Sequence, residues 1–214
     1  LALASPLFAS GAMENGVEFK TLDLSTSSIS DMESAWQNSV ENYNNQREGL
    51  RKAMNEAYEE KDVSDYLELR SIYKALEVPC ITKEQTDTLV ERIQNSSDKE
   101  EKDKIASFLY ENSIYYRPTL TFKYTVDTNG FSRTLSRSMS ALPGTQLTVP
   151  SVEGEGVFLG WSQDGESVLY KGGEEVEMPY TDTVLYAIFT SGITFKDSIT
   201  GLDEYTEGTE ANVP

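Results

Sequence analysis

Pro118-Thr119-Leu120-Thr121-Phe122-Lys123-Tyr124-Thr125-Val126 divides the chain into two textures. Its β-branched and aromatic residues alternate with a period of two, the spacing that sets every second side chain on one face of a strand. Asp127-Thr128-Asn129-Gly130, directly after it, has the composition of a turn. Downstream, Leu147-Thr148-Val149-Pro150, Gly156-Val157-Phe158-Leu159-Gly160-Trp161 and Val184-Leu185-Tyr186-Ala187-Ile188-Phe189 read as short strands separated by Gly, Pro and acidic turns. Upstream of Pro118 the apolar period is helical. The pattern predicts an α+β chain, with a small helical bundle at 28–117 leading into a β-rich module at 118–190.

The helical expectation rests on starts and stops as well as on period. Ser30-Asp31-Met32-Glu33, Thr82-Lys83-Glu84-Gln85 and Ser97-Asp98-Lys99-Glu100 each have the form of a capping box. In such a box the hydroxyl and the acid or amide satisfy backbone N–H groups that a helix start leaves unpaired. Met32, Trp36, Val40, Tyr43, Leu50, Met54 and Ala57 then follow at helical spacing, giving a helix over about 31–60. A second helix is expected at about 64–77, opened by Ser64 and Asp65 and stopped by Pro79. Shorter ones follow, carrying Leu89, Val90 and Ile93, and then Ile105, Phe108 and Leu109. No strict seven-residue period or fixed-length motif links them, so a small antiparallel bundle or a pair of hairpins is expected over a coiled coil or solenoid.

Charge and composition exclude whole classes of function. The chain has 18 Lys and Arg against 36 Asp and Glu, a net charge of −18, and no histidine. The excess is spread as −2 over 1–27, −7 over 28–117, −5 over 118–190 and −4 over 191–214. Phosphate backbones are bound by cations that release counterions, so this field argues against nucleic-acid binding and docking on anionic membranes. Without imidazole there is no Ser-His-Asp or Cys-His nucleophile system. The lone Cys80 provides neither an internal disulfide nor a zinc cage, and it is expected to be a small buried apolar residue. No stretch approaches the roughly 20 apolar residues of a membrane-spanning helix. No cofactor, metal or catalytic residue is expected.

Both ends read differently from the middle. Leu1 to Ala12 resembles the end of a secretory signal, with Ser10-Gly11-Ala12 as the small-residue cleavage pattern; an apolar strand of the fold is the alternative. Val17 to Leu24 alternates like a strand. Residues 191–214 read as an acidic linker or the start of a further module, and the chain is expected to be part of a longer multi-domain protein.

Four spaced anchors carry a family likeness. Gly144-Thr145-Gln146-Leu147-Thr148-Val149-Pro150 is followed by Phe158-Leu159-Gly160-Trp161-Ser162, by Tyr170-Lys171-Gly172-Gly173, and by Asp182-Thr183-Val184-Leu185-Tyr186-Ala187. In this order they resemble the Listeria–Bacteroides repeat, a module related to the B-repeat of internalins. The likeness covers 118–189, departs from the family at the terminal aromatic, which is Phe189 here, and occurs once where tandem copies are usual. It implies a β-grasp-like fold on a secreted, periplasmic or cell-surface bacterial protein. It also implies a spacer or binding module for a protein or a cell-wall glycan, and not an enzyme.

Candidate site residues are few. A strand at 158–161 places Phe158 and Gly160 on one face and Leu159 and Trp161 on the other. Aromatics in such strands most often build a core; if they stack on a ligand instead, the candidates are Trp161, Tyr170 and Tyr180. Glu153 with Glu155, Glu174 with Glu175 and Glu177, and Asp164 with Glu166 are the only carboxylate groupings, all in Gly-rich turns. A glycosidase needs two carboxyls across one cleft, one with a raised pKa, which exposed turns of a small module do not provide. Asp127-Thr128-Asn129-Gly130 begins like a calcium loop but lacks the later bidentate glutamate.

Overall fold

The computed structural model describes residues 19–128, 131–154 and 156–190. The signal-like segment at 1–12, Glu155, the turn residues Asn129 and Gly130, and the acidic segment 191–214 lie outside the described residues. Among those described, four helices precede a mixed four-stranded sheet and a second, two-stranded one, an α+β arrangement. No helix among them is long and apolar enough to cross a membrane.

The chain divides into two compact units. The first runs to Ser96 and takes back Glu111–Ser113; the second holds Ser97–Tyr110 together with the chain from Ile114 onward.

In the first unit, helix α1 spans Ile29–Glu59 and α2 spans Val63–Ala75. They form a hairpin whose turn is a Schellman motif. The N–H of Asp62 bonds to Ala57 O at 2.9 Å and that of Lys61 to Tyr58 O at 3.1 Å, with Lys61 at φ 58°. Helix α3 spans Lys83–Asn95 and buries Thr86, Leu89 and Ile93. Its capping box is complete: Thr82 accepts from Gln85 N, and the Gln85 side chain accepts from Thr82 N. The other two expected boxes are displaced. Ser28, not Ser30, caps α1 by accepting from Asp31 N, and Asp98, not Ser97, accepts from the N–H groups of Glu100 and Glu101. Asp62 caps α2 in place of Ser64.

The strand expected over 17–24 is absent from its described part, which holds a 3₁₀ turn at Phe19–Thr21. Asp23 is the cause. Its carboxylate takes the Ser25 N–H and the hydroxyls of Ser25 and Thr26, and such local bonds compete with strand pairing. The turn buries Phe19 and Leu24. Long-range bonds then hold the unit: Trp36 Nε1 donates to Asn112 Oδ1, the buried Thr86 and Ser113 hydroxyls bond each other, and Arg92 donates to the carbonyls of Leu24 and Ser27.

The second unit contains most of α4, Lys99–Asn112, and six strands: β1 Thr119–Thr128, β2 Phe131–Ser140, β3 Gln146–Thr148, β4 Phe158–Ser162, β5 Glu175–Glu177 and β6 Thr183–Phe189. The sheet order is β2-β1-β6-β4. β1 and β6 are parallel neighbours at the centre, while β2 and β4 are antiparallel to them at the edges. β3 and β5 form the separate antiparallel pair. Alternation along β1 sends Leu120 and Phe122 inward, where they meet Trp161, Leu185, Val149, Val176 and Met178 in one core. The two small strands thus contribute to the same core as the large sheet.

Candidate functional site

Trp161 sits at the centre of that core with none of its surface exposed. Its ring meets Phe122, Phe158 and Tyr124 edge-on at centroid distances of 4.8, 5.5 and 6.4 Å, and Nε1 donates to Pro150 O at 2.6 Å. Simple alternation had put Phe158 on the opposite face from Trp161. A register shift between Phe158 and Gly160 corrects this: the irregularity turns Phe158 toward Trp161 and leaves Leu159 outside, 42% exposed. Gly160 makes the irregularity possible. At φ 153° its missing Cβ would lie 2.5 Å from Tyr170 O, so only glycine lets the segment at 168–170 close over β4. That segment bonds to Trp161 through Trp161 N to Tyr170 O at 2.7 Å and Leu169 N to Trp161 O at 2.8 Å.

The three aromatic candidates do not form one strip. Tyr170 bridges Trp161 by its backbone and is packed, half-buried, against the core. Trp161 offers no surface on which a ligand could stack. Tyr180 is engaged with α4: its hydroxyl donates to Asp103 Oδ1, Lys102 lies 5.2 Å above its ring, and its carbonyl accepts from Tyr116 OH at 2.8 Å. Lys99 completes this network by donating to Asp103 and Glu177 at 3.3 and 3.2 Å. The Tyr180 hydroxyl bond holds the Asp103 carboxyl below its usual range, and burial raises both tyrosines, Tyr116 strongly. This is a clamp between helix and strands. Sequence reasoning missed Asp103 and Lys99 because they lie 77 and 78 residues from their partners, and no local pattern links them.

Of the carboxylate groupings, Asp164 and Glu174 are held by hydrogen bonds in turns, whereas Glu175 and Glu177 lie in the strand β5 and not in a turn as expected. Asp164 accepts from Ser162 Oγ and from the N–H groups of Glu166 and Ser167, which lowers its pKa to about 2. Glu174 accepts from Lys171 N, Glu175 from the Thr148 hydroxyl and Glu177 from Lys99. A general acid at neutral pH needs the opposite shift. Among the described residues no group of three potential ligands is placed to hold a metal ion.

The first unit has an open groove of about 840 Å³ between the turn at Lys20–Leu24 and the start of α3, lined among others by Glu77, Val78, Cys80 and Gln85. Cys80 is exposed there and not a buried apolar residue. The linker that holds it runs over the surface, with Val78 65% exposed, and the side chain it buries is that of the neighbouring Ile81. Compared with family models, curated proteins and solved structures, the chain matches none.

Proposed function

We propose that the chain is a non-catalytic bacterial cell-envelope or surface protein whose residues 118–190 form a β-grasp-like repeat module for spacing or protein binding. The sheet carries this reading: two parallel central strands, β1 and β6, flanked by antiparallel β2 and β4, are the arrangement expected of a β-grasp. The residues that resemble the Listeria–Bacteroides repeat support it further. Leu147, Val149, Phe158, Trp161, Tyr170 and Leu185 all serve one core, so the motif reads as a recipe for packing. A signature made of core residues leaves the surface free to vary, as a display module requires.

The absence of histidine, and the commitment of Asp103 and Asp164 to hydrogen bonds that hold the fold, favour a role in shape and display over bond-making. An accessory role in glycan or cell-wall binding through Trp161, Tyr170 and Tyr180 is disfavoured by the burial of Trp161. Fractionation of the native host tests the reading, with an antibody against 118–190 and protease added to intact cells. The expected result is a protease-accessible pool outside the cytoplasmic membrane; a pool confined to the cytosol refutes it.

A further inference from the structure

The sheet treats its two edges differently. The β4 edge is covered, since Leu169 and Tyr170 bond to Trp161 along it. The β2 edge is the terminal strand of the sheet, ten residues long, and among the described residues nothing pairs with its outer side. Natural sheets blunt such edges with charged side chains, proline, bulges or short strands. Phe131–Ser140 has no Pro, its charges are Arg133 and Arg137 alone, and it pairs with β1 in unbroken register from Thr119↔Ser140 to Thr128↔Phe131, so what guards this edge is positive charge, which repels basic strands and not acidic ones. Counting the ladder from the two-residue connection turns the N–H and C=O groups of Ser132, Thr134, Ser136 and Ser138 outward.

The edge also has a chemical sign. Arg133 and Arg137 supply two of the four cations in 118–190, and β2 carries no acid. Both are exposed, on the same strand face as Phe131, which is 80% exposed. A second copy pairing β2 with β2 would bring these arginines together, and like charges on facing strands are destabilising. We propose that the β2 edge binds an extended acidic polypeptide segment by strand addition, with main-chain bonds to the open ladder and carboxylates on Arg133 and Arg137. This deepens the reading of 118–190 as an interaction module and rests on it.

The test uses the full chain and a synthetic ten-residue peptide alternating Thr/Val with Glu, with the same peptide carrying Lys for Glu as control, at about 150 mM salt, where the Debye length is ~8 Å. The expected result is saturable binding of the Glu peptide, slowed amide exchange confined to 131–140, and weaker binding of the Lys peptide. Reversing two cross-strand charge contacts in R133E/R137E should weaken binding of the Glu peptide roughly tenfold or more and invert the preference. Thr134→Pro removes one outward N–H and should abolish binding with an unchanged circular dichroism spectrum; if it unfolds the hairpin, the charge-reversed variant decides alone. Equal binding of both peptides, protection outside β2, or binding indifferent to R133E/R137E overturns the proposal. So does a dimer in sedimentation with β2 already protected. Mass spectrometry of the recovered peptide separates the two readings, because cleavage refutes the non-catalytic function whereas an intact, unbound peptide refutes only the edge.

Discussion

Replacing Trp161 with Ala removes the residue around which the second unit is built. A tryptophan side chain buries about 150–250 Å², worth about 4–6 kcal/mol at 25 cal/mol/Å². Alanine keeps the Cβ, and a compact denatured chain already hides some of that area, which together bring the transfer loss to about 3–4 kcal/mol. The edge-on contacts with Phe122 and Phe158 add about 0.5–1.5 kcal/mol each, and Pro150 O loses the donor it has at 2.6 Å, costing about 1 kcal/mol. Relaxation of the cavity recovers part, so the expected loss is about 4–5 kcal/mol, at the upper end of large aromatic truncations. Against a domain stability of about 5–15 kcal/mol this leaves the unit close to unfolding. Native-state amide exchange measures it directly: protection at residues 120–123 and 183–186, the paired heart of β1 and β6, should fall by that amount. Trp161→Phe, which keeps a ring in the core, should lose only about 1–2 kcal/mol. Protection in W161A within about 1 kcal/mol of the parent would show that the ring is not core and that the packing argument fails.

Other expectations follow from single positions. Gly160→Ala forces a Cβ to within 2.5 Å of Tyr170 O and is expected to cost about 2–3 kcal/mol, read in urea unfolding; a neutral result would mean that the segment at 168–170 does not close on β4. Lys61→Gly relieves a left-handed residue in the α1–α2 turn and should stabilise the first unit by about 0.5–1 kcal/mol in thermal melts, and a loss there refutes the Schellman geometry. Tyr116 has a folded pKa raised by burial above the ordinary 10.0. Its contribution is therefore complete below pH 10 and is lost as pH rises beyond that value. Stability of the second unit should fall on the alkaline side of pH 10, and the fall should be shallower in Tyr116→Phe; parallel pH curves for parent and variant sink the argument.

Much of the fold was legible because its signals are local. Thr82 and Gln85 lie three apart and satisfy each other, so that helix start needed nothing distant. Ser28-Ile29-Ser30-Asp31 was ambiguous, since both serines precede an acid by three residues and local chemistry cannot rank them; with Ser28 as the cap, Met32 and Ala35 are buried. β2 was invisible for a different reason. Phe131, Leu135 and Met139 recur every four residues with arginines between them, and the strand is exposed along most of its length, so burial never wrote an alternating pattern into it. Its conformation is imposed by β1 across a ten-pair register. Trp161 could be read as core from its neighbours, but the irregularity that turns Phe158 toward it depends on the close approach of Tyr170 to Gly160, ten residues apart in sequence. The Tyr180 clamp required knowing that α4 belongs with the strands.

The charge distribution bears on how the open edge would act. A chain of net −18 repels an acidic segment at long range, while Arg133 and Arg137 attract it only within contact distance. At about 10 mM salt the Debye length is ~30 Å, so an approaching peptide experiences the field of the whole molecule; at about 150 mM it is ~8 Å, and the local pair dominates. Opposing fields of different range have a consequence that a uniformly basic groove does not share. Raising salt should speed the encounter before it weakens the contact, so affinity for an acidic strand passes through a maximum instead of falling steadily. A site with that profile discriminates by fit to the ladder more than by charge, since the bulk of the molecule turns away acidic chains that cannot reach β2 in extended form.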